Sequence, residues 1–271
     1  MLRSDPVAAV PIVIAAAGDS WGVAEALDEA SHYDPDDWIA SLEAEQSLAV
    51  LALTRVCGWR TWGVQRVVSG IARTHPRVVL DMLTEDSVEG PRVAEVDGLP
   101  EALGSHEPVL ADWLRHLLST GPEDEGRIAQ ILPAALGKSL TEGAATAVED
   151  VVESANADEI LRLVRMLWLC NGFTLAHPAL VGRLLARAEA LQDQEELEEV
   201  KRRLIALAVP TDGLWSPAAA DETHVARLDH SLRLAQDMTL SATARTIFSE
   251  SATTLQAVMD EEGQQWRDDE R

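Results

Sequence analysis

A chain of 271 residues is long enough to bury a core, and its formal net charge of −24 argues against direct binding of nucleic acid, which needs Lys and Arg against phosphate. The same charge argues against an anionic membrane surface and leaves either simple solubility or a basic partner as its role. Ala and Leu dominate the apolar residues. Because both favour helices over strands, the composition predicts an all-α protein.

The first twenty residues, MLRSDPVAAVPIVIAAAGDS, carry an apolar run and an Ala-x-Ala sequence at 15–17, as a short signal peptide does. Asp5 and Pro6 interrupt the start of the run, and Arg3 is the only basic residue in it. We therefore predict that this segment forms the first helix of the fold. No apolar run is as long as a membrane span, so we expect no membrane partner.

Six proline-containing phrases recur along the chain, and each predicts the start of a helix. Proline suits the first helical turn because its missing N–H has no partner there, and a preceding Ser, Thr or Asp caps the free N–H groups. The predicted starts are at Pro6, Pro35, Pro76, Pro108, Pro178 and Pro217. In the long interval after Pro108, Ser139 and Glu142 have the spacing of a capping box and predict a seventh start.

A second helix fits into each interval, because apolar residues recur there at steps of three and four. The examples are residues 21–30, 62–75, 125–138 and 157–170. Starts spaced by roughly 35 residues are typical of two-helix repeats stacked into an α-solenoid. The alternative is an irregular all-α bundle whose helices begin with proline.

Two segments interrupt this spacing. Residues 84–108 are rich in Gly, Pro and acids and predict a long loop or a short extra helix. Residues 211–224 predict a linker between a repeat array at 1–210 and a C-terminal part at 225–271. That last part predicts two longer helices, the second from Ala242 to about Gly263, and an acidic tail, as a closing pair for the array.

The proline-started first helices and the arginines of the second helices resemble HEAT-like repeats. The predicted fold is thus an all-α solenoid of about six or seven such repeats with a C-terminal capping helix pair. An Arg-rich helical array followed by Trp215, Ser216 and Pro217 and a closing helix pair is similar to the C-terminal helical sensor region of large bacterial antiviral defence proteins. That resemblance implies a sensing or adaptor role, with no NTPase part in this chain.

Motifs for enzymatic chemistry are absent from the sequence. Gly137-Lys138-Ser139 ends like a phosphate-binding loop, but Leu132 stands where that motif needs glycine. No His or Cys spacing matches a zinc hydrolase or deaminase, and Cys57 and Cys170 have apolar neighbours typical of buried thiols. We expect no catalytic residue, no metal and no cofactor, and a reducing, cytoplasmic location.

Histidines and acidic clusters have simpler explanations than catalysis. His75 and His177 precede prolines in matching phrases, so capping or packing accounts for them. The acids at 34–37 favour helix starts, where the helix dipole is positive. The acids near 195–199 predict a solvated helix face with pairs such as Glu198 and Arg202.

The strongest candidate for binding is the segment CGWRTWGVQRVVSGIAR at 57–73. It concentrates Trp59, Arg60, Trp62, Arg66 and Arg73 in an otherwise acidic protein, and Trp and Arg dominate binding hot spots. The alternative is that these tryptophans belong to the core and that these arginines either extend along the surface to reach water or pair with acids. By the same logic, two further tryptophans inside aliphatic helix patterns, Trp113 and Trp168, are predicted core residues.

Repeat architecture without a catalytic motif predicts a non-enzymatic protein–protein interaction module: a sensor, adaptor or scaffold. The resemblance implies a place in a bacterial defence system. The expected partner is another protein. The main alternative is an acidic inhibitor or nucleic-acid mimic that occupies a basic site on its partner. An enzyme built from scattered acids and histidines is the third hypothesis.

Overall fold

The computed structural model describes residues 2, 4–17, 20–32, 35–57, 62–85, 96–209 and 217–269. Within these ranges, the side chains that lie outside the description are those at 17, 20, 28, 30–32, 35–37, 55–57, 62, 217–223 and 261–269. Every regular element of the described part is helical, so the prediction of an all-α fold is confirmed. No helix among these residues is both long enough and apolar enough to span a membrane.

The described helices divide into two units, residues 1–148 and 149–271. The first unit contains α1 (Pro6–Ala17), α2 (Ser20–His32), α3 (Pro35–Ala40), α4 (Ala44–Cys57), α5 (Trp62–Thr74), α6 (Pro76–Thr84), α7 (Leu99–Gly104), α8 (Glu107–Leu118) and α9 (Glu125–Leu136). The division falls inside α10 (Glu142–Ser154). The second unit contains α11 (Ala157–Met166), α12 (Phe173–Ala176), α13 (Pro178–Ala190), α14 (Gln194–Ala208), α15 (Pro217–Gln236) and α16 (Ala242–Asp269). Short 3₁₀ helices lie at Pro122–Asp124 and Leu167–Leu169.

The six prolines predicted to begin helices all lie at the first or second position of one. The seventh helix start was predicted with Ser139 as its capping residue, and that prediction is wrong. Helix α10 begins at Glu142, and Thr141 caps it instead of Ser139, since Thr141 Oγ1 accepts a hydrogen bond from the Ala144 N–H at 3.2 Å. The reason is a turn with left-handed φ angles at Gly137 and Leu140, which separates Ser139 from the helix.

The outlying segments differ from prediction in part. Helix α1 forms where the first helix was predicted. Of the segment 84–108, the described residues include the end of α6, the whole of α7 and the start of α8, whereas 86–95 lie outside the description. The predicted linker at 211–224 overlaps α15, which already begins at Pro217. Helix α16 continues to Asp269, beyond its predicted end.

Three histidines occupy equivalent corners between helices. His75 alone separates α5 from α6, and His177 alone separates α12 from α13. Their backbone angles agree, with φ −131° and ψ 61° at His75 and φ −126° and ψ 66° at His177. His106 precedes α8 with φ −121° and ψ 53°. No side chain of the three caps its helix, so of the two roles predicted for His75 and His177, capping is wrong and packing remains.

The corner histidines of the first unit bond to backbone carbonyls earlier in the chain instead. His75 Nε2 lies 2.6 Å from the carbonyl oxygen of Leu42, and His106 Nε2 lies 2.8 Å from that of Arg73. Each imidazole donates, because a carbonyl oxygen only accepts. Both bonds span 33 residues.

The helices joined at His75 and at His106 form two pairs that pack against each other. Helix α5 packs on α6 and α7 on α8, while between the pairs α5 packs on α7 and α6 on α8. Val67, Val68 and Ile71 of α5 and Leu99 and Leu103 of α7 are in the core. Their apolar spacing on each helix explains why the pairs associate through these sides.

In the second unit, α14 packs against α11, α12, α13 and α16. Helices α15 and α16 pack along each other. Asn156 and Glu159 form a capping box that fixes the start of α11, and the Asp193 carboxylate caps α14 by accepting from the Glu196 N–H. Between these neighbours, α14 also lines two surface depressions of the second unit.

Candidate functional site

The described residues contain no group of three or more His, Cys, Asp or Glu side chains placed to hold a metal ion. Cys170 is fully buried, and burial raises the pKa of its thiol far above the ordinary value because desolvation disfavours the thiolate. A thiol held in its neutral form is a poor nucleophile. Cys170 is therefore a small core residue, as its apolar neighbours predicted; the Cys57 side chain lies outside the description.

Much of the predicted binding segment is not described. Trp59 and Arg60 lie outside the described residues, and Trp62 begins α5 with its side chain outside them. The acids predicted at 34–37 likewise have no described side chains. Arg66 is half-buried and Arg73 is exposed, both on α5. Those two arginines thus share a helix whose valines and isoleucine face the core.

The two tryptophans predicted as core residues have different environments. Trp113 is fully buried, as predicted, but Trp168 is 48% exposed, so its prediction is wrong. Helix α11 ends at Met166, and the chain continues as a 3₁₀ helix over Leu167–Leu169. Each residue of a 3₁₀ helix turns by about 120° instead of about 100°. Leu167, the first residue of the 3₁₀ helix, is still buried, but the altered rotation leaves Trp168 off the buried side that the α-helical period from Ile160 predicts.

Trp168 forms one wall of a small depression between α11 and α14, which we call the Trp168 notch. Its volume is about 110 Å³. Buried Val164 and Leu207 provide an apolar base, and Arg203 is held beside it because its Nε donates to Glu199 Oε1 at 2.7 Å. The lining residues are Val164, Trp168, Asn171, Arg203, Ala206 and Leu207.

A wider and more polar groove lies on the other side of α14, against α16. Its volume is about 510 Å³. The lining residues are Glu198, Lys201, Arg202, Ile205, Ala242, Thr243, Thr246, Ile247 and Glu250. Small-molecule sites of about 300–1,000 Å³ are mostly apolar, whereas both helices contribute charged and hydroxyl groups here. The groove therefore has the size of such a site but not its chemistry.

The ion pairs along α14 differ from the predicted pair of Glu198 and Arg202, and that prediction is wrong. Glu198 Oε1 pairs with Lys201 Nζ at 2.8 Å, while Arg202 and Arg203 both pair with Glu199. Glu199 lies three and four residues before these arginines, so it reaches both. The cations of this helix are consequently occupied by its own acids.

Sequence patterns did not reveal the Trp168 notch, because its walls come from helices distant in the chain. One local signal was present. Asn171-Gly172 is a turn dipeptide that marks the end of a helix close to Trp168. A tryptophan in the last turn before such a break need not follow the helical period of the preceding residues.

Comparison of the chain with protein-family models, with curated proteins and with solved structures found no match. The function is accordingly inferred from the chain's own residues.

Proposed function

We propose that this chain is a non-enzymatic protein–protein interaction module, a sensor, adaptor or scaffold, whose helix pairs are HEAT-like repeats of an α-solenoid. The observation that supports this function most is the exposed indole of Trp168 beside an apolar base. When a partner covers a half-exposed indole, apolar area is removed from water, and this burial stabilises the complex. Trp and Arg are also the residues most enriched in interface hot spots, and the notch contains one of each.

The size of the notch favours a protein partner over a small ligand. A volume of about 110 Å³ is well below the range of about 300–1,000 Å³ for small-molecule sites and accommodates a single inserted side chain. Asn171 offers an amide donor and acceptor beside the apolar base, and Arg203 offers a guanidinium. We propose that an apolar side chain of the partner enters the notch while its backbone bonds to these polar groups.

Repeat organisation is supported by the two histidine bonds. His75 and His106 each connect a corner to a carbonyl 33 residues earlier. The two helix pairs joined at these corners pack on each other, α5 on α7 and α6 on α8. A unit whose apolar sides are buried only by its neighbours is the basis of solenoid proteins. Extended surfaces of such proteins commonly bind other proteins, in agreement with the sensing role that the resemblance to bacterial defence proteins implies.

The experiment that tests this function compares baits in the protein's own lysate at moderate salt. Tagged wild-type chain, Trp168→Ala and Met238→Ala are captured, and the proteins that come with each are quantified. Met238 is an exposed apolar residue of the same unit and serves as the matched control. We expect a protein whose yield falls at least about tenfold with Trp168→Ala only, as loss of a hot spot predicts. Equal recovery with all three baits would rule out the notch as the binding site.

The segment predicted from sequence is tested in the same capture. The triple variant Trp62→Ala, Arg66→Ala and Arg73→Ala should weaken partner binding if α5 contributes to the surface. A folded triple variant that binds like the wild type would exclude that segment.

An acidic inhibitor or nucleic-acid mimic is the second candidate, favoured by 46 acidic against 22 basic residues. Several described basic side chains pair with acids, as Arg77 does with Asp81 at 2.8 Å and Arg183 with Glu149 at 3.1 Å. The surplus carboxylates therefore dominate the surface field. This function predicts a partner that is lost steeply as salt rises and that is indifferent to Trp168→Ala. A partner retained at moderate salt excludes it.

A further inference from the structure

Helix α1 is apolar around its whole circumference yet only partly buried. Its twelve residues, PVAAVPIVIAAA, include no charged or hydrogen-bonding side chain. A helix that is apolar on all sides normally lies inside a protein. Here Pro6, Ala9 and Val10 are buried, and the helix packs against α2 and α4 on that side.

On the other side of α1, exposed apolar residues have the spacing with which one helix packs against another. Ala8, Pro11, Ile12 and Ala15 are exposed at spacings i, i+3, i+4 and i+7, and Ile12 is 51% exposed. The small alanines allow another backbone to approach closely. We call this surface the α1 face, which consists of Val7, Ala8, Pro11, Ile12, Ile14 and Ala15.

The helices that pack on α1 add exposed apolar residues of their own. Trp21 at the start of α2 is 74% exposed, and Leu48 of α4 is 52% exposed. The same exposed sides carry acids at helical spacing, with Glu25 and Glu29 one and two turns after Trp21 and Glu45 one turn before Leu48. The apolar residues of this three-helix group are thus accompanied by carboxylates.

We infer that the α1 face docks a basic amphipathic helix of a partner protein. The apolar stripe of that helix covers Ile12 and its neighbours, and its lysines or arginines meet Glu25, Glu29 and Glu45. Charge complementarity selects this occupant. A second copy of the chain brings the same carboxylates and a further net charge of −24, and an anionic membrane is repelled in the same way.

This inference rests on the proposed function only in that both concern protein docking, and it uses a surface distinct from the Trp168 notch. The probes are two labelled peptides of about 20 residues, long enough to form a helix. Both have Leu at positions i, i+3, i+4 and i+7; one has Lys and the other Glu at the remaining positions. Binding to the full chain is measured by fluorescence anisotropy at low and moderate salt.

We expect the Lys peptide to bind at least about tenfold more tightly than the Glu peptide. Ile12→Asn should weaken that binding about tenfold, since a polar group then lies in the apolar stripe. Leu232→Asn is the matched control, because Leu232 is 44% exposed on α15, and it should bind as the wild type does. The double variant Glu25→Gln and Glu29→Gln should reduce the preference for Lys over Glu.

Three results would overturn the inference. Equal binding of both peptides would remove the charge argument, and binding unaffected by Ile12→Asn would remove the α1 face. Sedimentation equilibrium showing a dimer of the chain that Ile12→Asn dissociates would assign the face to a second copy. Trp168→Ala separates the two proposals: if it abolishes peptide binding, the peptide occupies the notch, and the α1 inference fails while the proposed function stands.

Discussion

The imidazole of His106 bonds to the carbonyl oxygen of Arg73, 2.8 Å away, and so connects the corner before α8 to the last turn of α5. The corner at His75, close to Arg73 in the chain, bonds in turn to Leu42. Successive corners are therefore linked in series by one residue type. In the first unit, His75-Pro76 and His106-Glu107-Pro108 encode this link: the proline lies in the first turn of a helix, and the histidine bonds to a carbonyl 33 residues earlier.

Removing one corner bond should destabilise the first unit. His75→Ala leaves the carbonyl of Leu42 without its donor, and we expect a loss of about 1–2 kcal/mol in the free energy of unfolding. Urea titration followed by circular dichroism measures it. His116→Ala is the control, since His116 is exposed on α8, and its effect should stay within about 0.5 kcal/mol. Equal effects of the two substitutions would show that the corner bond does not stabilise the fold.

A pair of glycines tests how closely α7 and α10 approach. A Cβ on Gly143 would overlap the carbonyl oxygen of Gly104, so Gly143→Ala must push the two helices apart and should cost about 1–3 kcal/mol. Gly126 occupies the same second helical position in α9, and a Cβ there meets nothing within 4 Å. Gly126→Ala should therefore be neutral or stabilising by up to about 1 kcal/mol. Thermal denaturation of both variants measures the difference. If Gly143→Ala were as stable as Gly126→Ala, the close approach of α7 and α10 would be contradicted.

The two tryptophans predicted alike from sequence should respond oppositely to truncation. Trp113→Ala leaves a large cavity in the core and should lower the free energy of unfolding by about 3–5 kcal/mol. Trp168→Ala removes a half-exposed side chain and should cost less than about 1.5 kcal/mol. Chemical denaturation of the two variants measures the difference. If both lost the same stability, Trp168 would be a core residue and not a binding residue.

The buried thiol of Cys170 should be inert in the folded protein. Because burial raises the pKa of this thiol, almost none of it is thiolate at neutral pH. In a Cys57→Ser background, we expect no reaction with a disulfide reagent under native conditions and rapid reaction in denaturant. Absorbance of the released thiolate follows both. Fast labelling of the native variant would mean that this part of the second unit opens readily.

Local rules predicted most of the helices. Proline suits the first helical turn through its own ring and missing N–H, and Pro76 and Pro178 both begin helices as predicted. Helix caps depended on more than local spacing. Ser139 had the correct spacing to Glu142, yet the left-handed turn at Gly137 and Leu140 gave the cap to Thr141. The hydrogen bonds of His75 and His106 were not predicted, because their partners lie 33 residues away.

Helix content and helix starts were determined by the sequence alone, because composition, proline geometry and apolar period act within a few residues. Tertiary structure decided which apolar residues are left in water. Ile12 and Trp168 have apolar neighbours in sequence as Val67 and Trp113 do, but packing covers only the latter two. Burial depends on which helices pack against each other, and that packing is determined by all the helices together, so the sequence of one helix does not predict it.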